Sequence, residues 1–242
     1  EAKLNAVGRA LRYGVGPRGV VEGLGVVETG PMQHVCGTCL SHVQFSKRPH
    51  CETCGWPFPG QVVGARRCPS CIDLDVSFRE GRTGMLFDGP TRAFVHELKY
   101  HKGWHLRGDL RVLIRQAASL REFVDGAVLV PVPLHKRRRR WRGFNQARWV
   151  ADALAAESKA TGVEELLTRV RYTQTQTRLT REQRERNMKN AFALRPGVVV
   201  ASGRRYILVD DVFTTGATLN ACAKVLCQSG AEWVGVASLV HG

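Results

Sequence analysis

One stretch constrains this chain more than any other: Ile207 to Leu219, ILVDDVFTTGATL. Tyr206 to Val209 form a continuous apolar run, the pattern of a buried strand. Two acids, Asp210 and Asp211, stand at its C-terminal end. Thr214, Thr215, Gly216, Ala217 and Thr218 follow, and a helical pattern then runs to about Gln228. Open α/β sheets bind ligands at the carboxyl ends of their strands. A helix start presents unpaired N–H groups and a partial positive charge to an anion. Gly216 can take the backbone angles of such a loop and lets the chain approach a phosphate closely, and the threonines add hydroxyl donors. The carboxylates of Asp210 and Asp211 would repel a phosphate, so they suit neutral hydroxyls, such as those of a ribose, or a divalent cation. A phosphate loop beside two hydroxyl-binding acids describes a site for a phosphorylated pentose.

The residues in order, four hydrophobics, two acids, two more positions and then TTG-x-T, complete a pattern across Tyr206–Thr218. It resembles the PRPP-binding fingerprint of the type I phosphoribosyltransferases. The resemblance implies a parallel α/β sheet flanked by helices, with Asp210 and Asp211 as catalytic, ribose-facing acids. It also implies Thr214, Thr215, Gly216, Ala217 and Thr218 as the phosphate loop, and Mg²⁺ accompanying PRPP. A Walker B strand has the same apolar-then-acid form, but its partner GxxxxGK[ST] occurs nowhere in the chain.

A chain of 242 residues has room for one α/β domain of about 150 residues and a smaller unit. The composition divides it into a glycine-rich extension over 1–31, a cysteine-rich module over 32–75 and the larger domain over 80–242. The extension shows no packing period and is expected to be flexible. No run of about 18 apolar residues exists, so no membrane span is expected, and the first residues lack the apolar core of a signal peptide. The net charge of +15 calls for polyanionic partners, nucleic acid or phosphate-rich small molecules.

Three CxxC pairs occupy residues 36–71: Cys36 and Cys39, Cys51 and Cys54, Cys68 and Cys71. A CxxC turn presents two thiolates to one ion, and two such turns complete a tetrahedral Zn²⁺ site. Gly55, just after Cys54, fits a knuckle that needs positive φ. One structural zinc is expected. Six cysteines exceed one site and fall short of two; His34, His42 and His50 could supply missing ligands, although solvated loop histidines are the simpler reading. Metal-type cysteine usage implies a reducing compartment, hence the cytoplasm. The remaining cysteines, Cys222 and Cys227, are expected to be buried on the helix after the phosphate loop.

The rest of the larger domain reads as a short strand and turn over 85–90, an amphipathic helix carrying Phe94, Val95, Leu98 and Tyr100, and one further helix from Leu106 to Phe123. A buried strand lies in 126–134, and further strands are expected at 198–201 and 232–240. After the first of these comes a solid cationic block, Lys136, Arg137, Arg138, Arg139 and Arg140, then Trp141 and Arg142. It is read as an overhanging loop at the same sheet edge as the phosphate loop, where it could hold pyrophosphate or DNA phosphates. Asn145 caps the next helix, Gln146–Glu157. Trp104, Trp141 and Trp149 lie near basic residues, where aromatics could stack bases; helix core is the simpler reading of Trp149, and only Trp141 is expected to be exposed. Residues 171–192, rich in threonine, glutamine and arginine, are read as a mobile loop before a short helix.

The series of CxxC pairs, FVHELKY, PVPL, RWRGFNQA, TQTRLTREQRERNMKNAF and VDDVFTTGAT resembles the ComF family over about residues 32–242. That resemblance implies DNA uptake in natural transformation, single-stranded DNA as a partner and association with uptake machinery at the membrane. Members commonly carry four CxxC pairs in a zinc ribbon. Here the pair before Cys36 is absent, which points to Cys51, Cys54, Cys68 and Cys71 as the secure zinc ligands and leaves Cys36 and Cys39 without their usual partners. An active phosphoribosyltransferase, moving ribose 5-phosphate from PRPP to a base in salvage, is the alternative.

Overall fold

The structure is a computed structural model that describes residues 32–60, 62, 64, 66–100, 103–171, 183, 188 and 190–242. The expected extension over 1–31 and most of the 171–192 segment, with Arg178, Arg181, Arg184, Arg186 and Lys189, lie outside the described residues.

The strands are β1 (Gly81–Leu86), β2 (Val128–Pro131), β3 (Gly162–Val163), β4 (Leu167–Arg169), β5 (Phe192–Leu194), β6 (Arg205–Phe213) and β7 (Trp233–His241). Five of them form one sheet in the order β1-β7-β6-β2-β3, parallel at every pairing, while β4 and β5 form an antiparallel ribbon. This is the parallel α/β sheet expected. Strands buried on both faces can be apolar throughout, as β2 and the Tyr206–Val209 run of β6 are. Ile207 and Val209 feed one core cluster, and Tyr206 and Leu208 feed the other, as a period of two requires.

The helices are α1 (Gly37–Ser41), α2 (Gly89–Tyr100), α3 (Arg107–Gln116), α4 (Ala118–Val124), α5 (Lys136–Arg142), α6 (Gln146–Glu157) and α7 (Ala217–Gln228). Leu98, Leu110, Leu113, Leu120, Val150 and Leu154 from α2, α3, α4 and α6 cover one face of the sheet. Leu219, Cys222 and Leu226 of α7 pack with the other. Leu98, Leu120 and Leu154 are fully buried, each worth ~1.5–3 kcal/mol relative to exposure.

Four local expectations are corrected. Leu106 to Phe123 is not one helix: it breaks at Ala117 (φ −81°, ψ 67°), whose N–H bonds the carbonyls of Leu113 and Ile114. The apolar spacing continues across the break because both helices bury into the same core. Residues 198–201 are not a strand. Val199 is 86% exposed and the Ala201 N–H is met by the Tyr206 hydroxyl at 3.0 Å rather than by a ladder. The basic block is helix α5, not a loop. His135 caps it by accepting from the Arg137 N–H at 3.3 Å, and Gly143 ends it; arginine is a good helix former, and the side chains fan apart on a short helix. Cys227 is exposed, its thiol donating to the Ser77 carbonyl at 3.2 Å.

The cysteine-rich segment docks on β1, which would otherwise be a free sheet edge. Ser46 N–H bonds the Gly84 carbonyl at 2.9 Å, Leu86 N–H the Gln44 carbonyl at 2.9 Å, and Gly81 N–H the Glu52 carbonyl at 2.6 Å. Gly55 has φ +75°, and a Cβ there would lie 2.5 Å from Thr83 N, so a residue without one is required.

Candidate ligand cleft and cysteine cluster

The chain leaves β2 toward β3 on one side and returns to β6 on the other. Between the carboxyl ends of β2 and β6 opens the crevice that such a reversal creates. There a cleft of about 650 Å³ is lined from both sides, by Asp210, Asp211, Thr214 and Thr218 and by Arg137, Arg138, Trp141 and Arg142. That volume falls in the range of small-ligand sites, about 300–1,000 Å³.

On the first side, β6 continues through both acids to Phe213 before the loop begins. Gly216 is the N-cap of α7 at φ +73°, and a Cβ would meet the Phe213 ring at 2.9 Å. The positive φ is the one expected from the sequence; the close approach seen is to the Phe213 ring, a constraint not read from the sequence. Thr215 Oγ1 accepts from Ala217 N–H at 3.4 Å, while the α7 ladder starts with Asn220 N–H on the Gly216 carbonyl at 2.8 Å. Asp211 is 7% exposed, and its Oδ2 pairs with Lys99 Nζ at 3.0 Å. Asp210 Oδ1 accepts from the Asp211 N–H at 2.9 Å. Burial, and then the neighbouring Asp211, push the Asp210 carboxyl up to about 8; Lys99 pulls the other way.

On the second side, Asn145 fixes the turn from β2 into α6. Its Nδ2 donates to the Val132 carbonyl at 3.0 Å, and its Oδ1 accepts from Ala147 N–H at 3.2 Å, the cap expected. Helix α5 is divided. Arg137, Arg138, Trp141 and Arg142 share the face toward the cleft, as helical spacing permits, and Lys136, Arg139 and Arg140 lie outside it. Arg142 Nη1 donates to Gln146 Oε1 at 3.1 Å. Trp141 is 67% exposed, as expected, and Trp149 is buried; Trp104, not expected to be exposed, is 53% exposed.

Sequence reasoning missed Lys99, Tyr100, Gln146 and Arg169, all of which line the cleft. Arg169 is 8% exposed on β4, and burial lowers the pKa of its guanidinium. In the sequence Lys99 reads only as a cation at a helix end; its place in FVHELKY is the one signal for it.

The structure brings together Cys51, Cys54, Cys68 and Cys71. All four are buried, and their sulfurs lie within 4.8 Å of one another. Cys54 and Cys68 sulfurs are 3.7 Å apart, close to the ~3.8 Å edge of a tetrahedron with Zn–S bonds of about 2.3 Å. One thiolate is favoured at the expense of its neighbours: hydrogen bonds from Cys54 and Cys71 lower the Cys51 thiol. The hydrogen bond to Cys51, with burial adding to it, pushes Cys71 up to about 12, and Cys54 is raised for the same first reason. A divalent cation would relieve that conflict, so the donor set fits zinc. Cys36 and Cys39 stand apart. Cys36 Sγ accepts from the Cys39 N–H at 3.4 Å as the cap of α1, and among the described residues neither joins a group of three or more metal-ligating side chains. Among the described residues no histidine joins the buried four; His34 pairs with Asp109 at 3.4 Å.

No family model matches the chain. Among curated proteins it is 30% identical over 211 residues to Competence protein F of Haemophilus influenzae, covering 86% of this chain and 90% of that one. The chain belongs to the ComF family. This ComF chain is also 31% identical over 206 residues to the DNA utilization protein YhgH of Salmonella typhimurium, covering 84% and 88%. It is 26% identical over 217 residues to Competence protein ComFC of Bacillus subtilis, covering 83% and 80%. A solved purine phosphoribosyltransferase from Pyrococcus horikoshii aligns at 16% identity with a TM-score of 0.32, over 57% of the ComF chain and 74% of that one, an overlap too loose to argue from. Among the described residues no helix is long and apolar enough to cross a membrane.

Proposed function

We propose that this ComF protein binds a 5-phosphorylated ribose ligand, PRPP or a nucleotide, in the cleft, binds single-stranded DNA along α5, and serves DNA uptake in natural transformation. The observation that carries the reading is that a single cleft is lined by Asp210, Asp211, Thr214 and Thr218 on one side and Arg137, Arg138 and Arg142 on the other. In this reading the loop Thr214, Thr215, Gly216, Ala217 and Thr218 takes the 5-phosphate on backbone N–H groups and hydroxyls. Asp210 and Asp211 face the ribose hydroxyls, and the arginines take pyrophosphate or strand phosphates. Mg²⁺ would accompany the pyrophosphate of PRPP. Zn²⁺ is proposed for Cys51, Cys54, Cys68 and Cys71 in a structural role. Reduced thiolates suit the cytoplasm, where the incoming strand and the membrane-bound uptake machinery would meet the protein.

Calorimetry with PRPP tests the cleft. The wild type binds; Asp210→Asn with Asp211→Asn abolishes binding and leaves the circular dichroism spectrum unchanged. Equal affinity in the double variant overturns the assignment of the acids.

Turnover is a second reading, favoured by Lys99, Arg137, Arg138 and Arg142 on one cleft. Cations there would stabilise a leaving pyrophosphate as the C1–O bond of PRPP breaks and a bond from C1 to a base nitrogen forms. Incubation with PRPP, Mg²⁺ and each free base, followed by assay for pyrophosphate, separates turnover from binding alone.

A further inference from the structure

The rim of the cleft carries aromatic surface that neither the phosphate loop nor the acids use. Trp141, at the end of α5, is 67% exposed, and Tyr100, at the end of α2, is 43% exposed. Their ring centroids lie 6.4 Å apart at 64°. The Arg142 guanidinium sits against both, 5.4 Å from the Tyr100 ring and 6.0 Å from the Trp141 ring. Both rings line the cleft. Two elements far apart in the chain therefore hold an indole and a phenol side by side in water, where exposed apolar area is unfavourable. Aromatic faces interleaved with guanidinium groups stack nucleobases, since every base offers a π-face.

Behind the rings, Gln146 adds a directional group. It is 2% exposed and lines the cleft. Its Oε1 accepts from Arg142 Nη1 at 3.1 Å. Arginine only donates, so this bond settles which end of the amide is oxygen and leaves the NH₂ for another partner. Among the described residues that buried Nε2 has no hydrogen-bond partner. Buried donors are paired in nearly all native structures, and one left open on a cleft wall is a donor whose acceptor comes from outside the chain.

We propose that Tyr100, Trp141 and Gln146 form a nucleobase subsite. The base stacks on the Trp141–Tyr100 surface, and a ring nitrogen or exocyclic oxygen on its edge accepts from Gln146 Nε2. The ligand class is a nucleoside 5′-phosphate with an intact ribose, because the acids of the same cleft suit a vicinal diol. The proposal rests on the phosphate-loop reading above.

Three probes separate the two readings: AMP, ribose 5-phosphate and adenosine, each titrated into the full chain. For the wild type, AMP binds about tenfold more tightly than ribose 5-phosphate and quenches tryptophan fluorescence. Trp141→Ala removes both the quenching and the tenfold gain but leaves ribose 5-phosphate affinity where it was. Trp141→Phe restores most of the gain without the quenching, since phenylalanine still stacks. Gln146→Leu weakens AMP and spares ribose 5-phosphate. Equal affinity of AMP and ribose 5-phosphate, or equal weakening of both in Trp141→Ala, overturns the base subsite and leaves the phosphate loop standing. Equal affinity of AMP and adenosine, with ribose 5-phosphate unbound, overturns the phosphate loop and leaves the base subsite standing. Binding of none of the three overturns both.

Discussion

The cysteine cluster and the cleft are held by the same sheet but are built in opposite senses. At the cluster the candidate ligands are themselves the core: Cys51, Cys54, Cys68 and Cys71 are between 0% and 6% exposed and pack with Phe78. At the cleft the candidate binding groups stand on a core that is complete without them. Ile207, Leu208 and Val209 are fully buried beneath Asp210, and the arginines of α5 bury no apolar residue of their own. Folding and function should therefore be inseparable at the cluster and separable at the cleft.

The largest expected effect follows from the cluster. Structural zinc in small modules binds with an apparent ~10–16 kcal/mol, and without it such modules do not fold. Stripping the metal with a strong chelator, or replacing Cys51 and Cys54 by serine, should expose the segment over 44–78 to protease and lower the melting temperature by at least ~10 °C. Scanning fluorimetry and limited proteolysis check it. A protein that keeps its melting point without metal would place the cluster in the same class as the cleft and break the contrast.

At the cleft, Arg137, Arg138, Arg139 and Arg140 changed together to alanine should move the melting temperature by less than ~1 °C while weakening single-stranded DNA binding roughly ten- to a hundredfold. The log–log salt slope should flatten by about 0.7 for each strand phosphate that the variant no longer neutralises. The division of α5 sharpens this. Arg137 and Arg138 line the cleft and Arg139 and Arg140 do not. Arg137→Ala with Arg138→Ala should weaken both DNA and PRPP, and Arg139→Ala with Arg140→Ala should weaken DNA alone. An unchanged slope in the quadruple variant would remove α5 as a DNA-binding element and favour the transferase reading.

What is legible in the sequence follows the same division between local and distant. Tyr206–Thr218 can be read because one contiguous run sets the strand, the loop and the helix start, and Gly216 must be glycine for reasons that lie within that run. The four-cysteine choice comes from the ComF resemblance, whose usual pair before Cys36 is absent here; the CxxC spacing alone leaves all six cysteines open, and the structure brings four sulfurs together. Lys99, Gln146 and Arg169 cannot be read, because α2, α6 and β4 reach the cleft only through the packing of the whole sheet. The break at Ala117 is hidden for a related reason: both helices point apolar residues into one core, and the period runs on through the bend. Helix α5 is hidden because a block of like charges reads as a loop. Its cap, His135, accepts a backbone hydrogen bond only once the ring is oriented.

A smaller effect separates the acids from the thiols by pH. Burial and the neighbouring Asp211 push the Asp210 carboxyl up to about 8 in the folded chain, whereas an unfolded aspartate titrates near 4. Between those values the native state binds more protons than the unfolded state, so stability falls as pH rises from about 4 to about 8 and levels off above. Asp210→Asn removes that dependence. Its melting temperature should match the wild type at pH 4 and exceed it at pH 8 by ~5 °C. The gain at pH 8 would come with loss of PRPP binding, stability and function moving in opposite directions. A parallel pH profile for the two proteins would show that Asp210 is ionised in the cleft.

The smallest expected effect concerns the first CxxC pair. Cys36 and Cys39 are half-buried, not buried, and Cys36 serves as a helix cap through its sulfur at 3.4 Å from the Cys39 N–H. Serine is a better cap than cysteine, since its oxygen accepts more strongly, and a lost cap costs only ~1 kcal/mol in any case. Cys36→Ser with Cys39→Ser should therefore leave zinc at one ion per chain and the melting temperature within ~2 °C of the wild type. Elemental analysis and scanning fluorimetry on the same preparation decide it. The same spacing of cysteines would then have two opposite consequences in one chain, because four buried sulfurs converge at one place and two half-buried sulfurs remain beside their own helix. Two zinc ions in the wild type, falling to one in the double serine variant, would show that Cys36 and Cys39 hold metal with partners outside the described residues, and would move this pair to the cluster's side of the contrast.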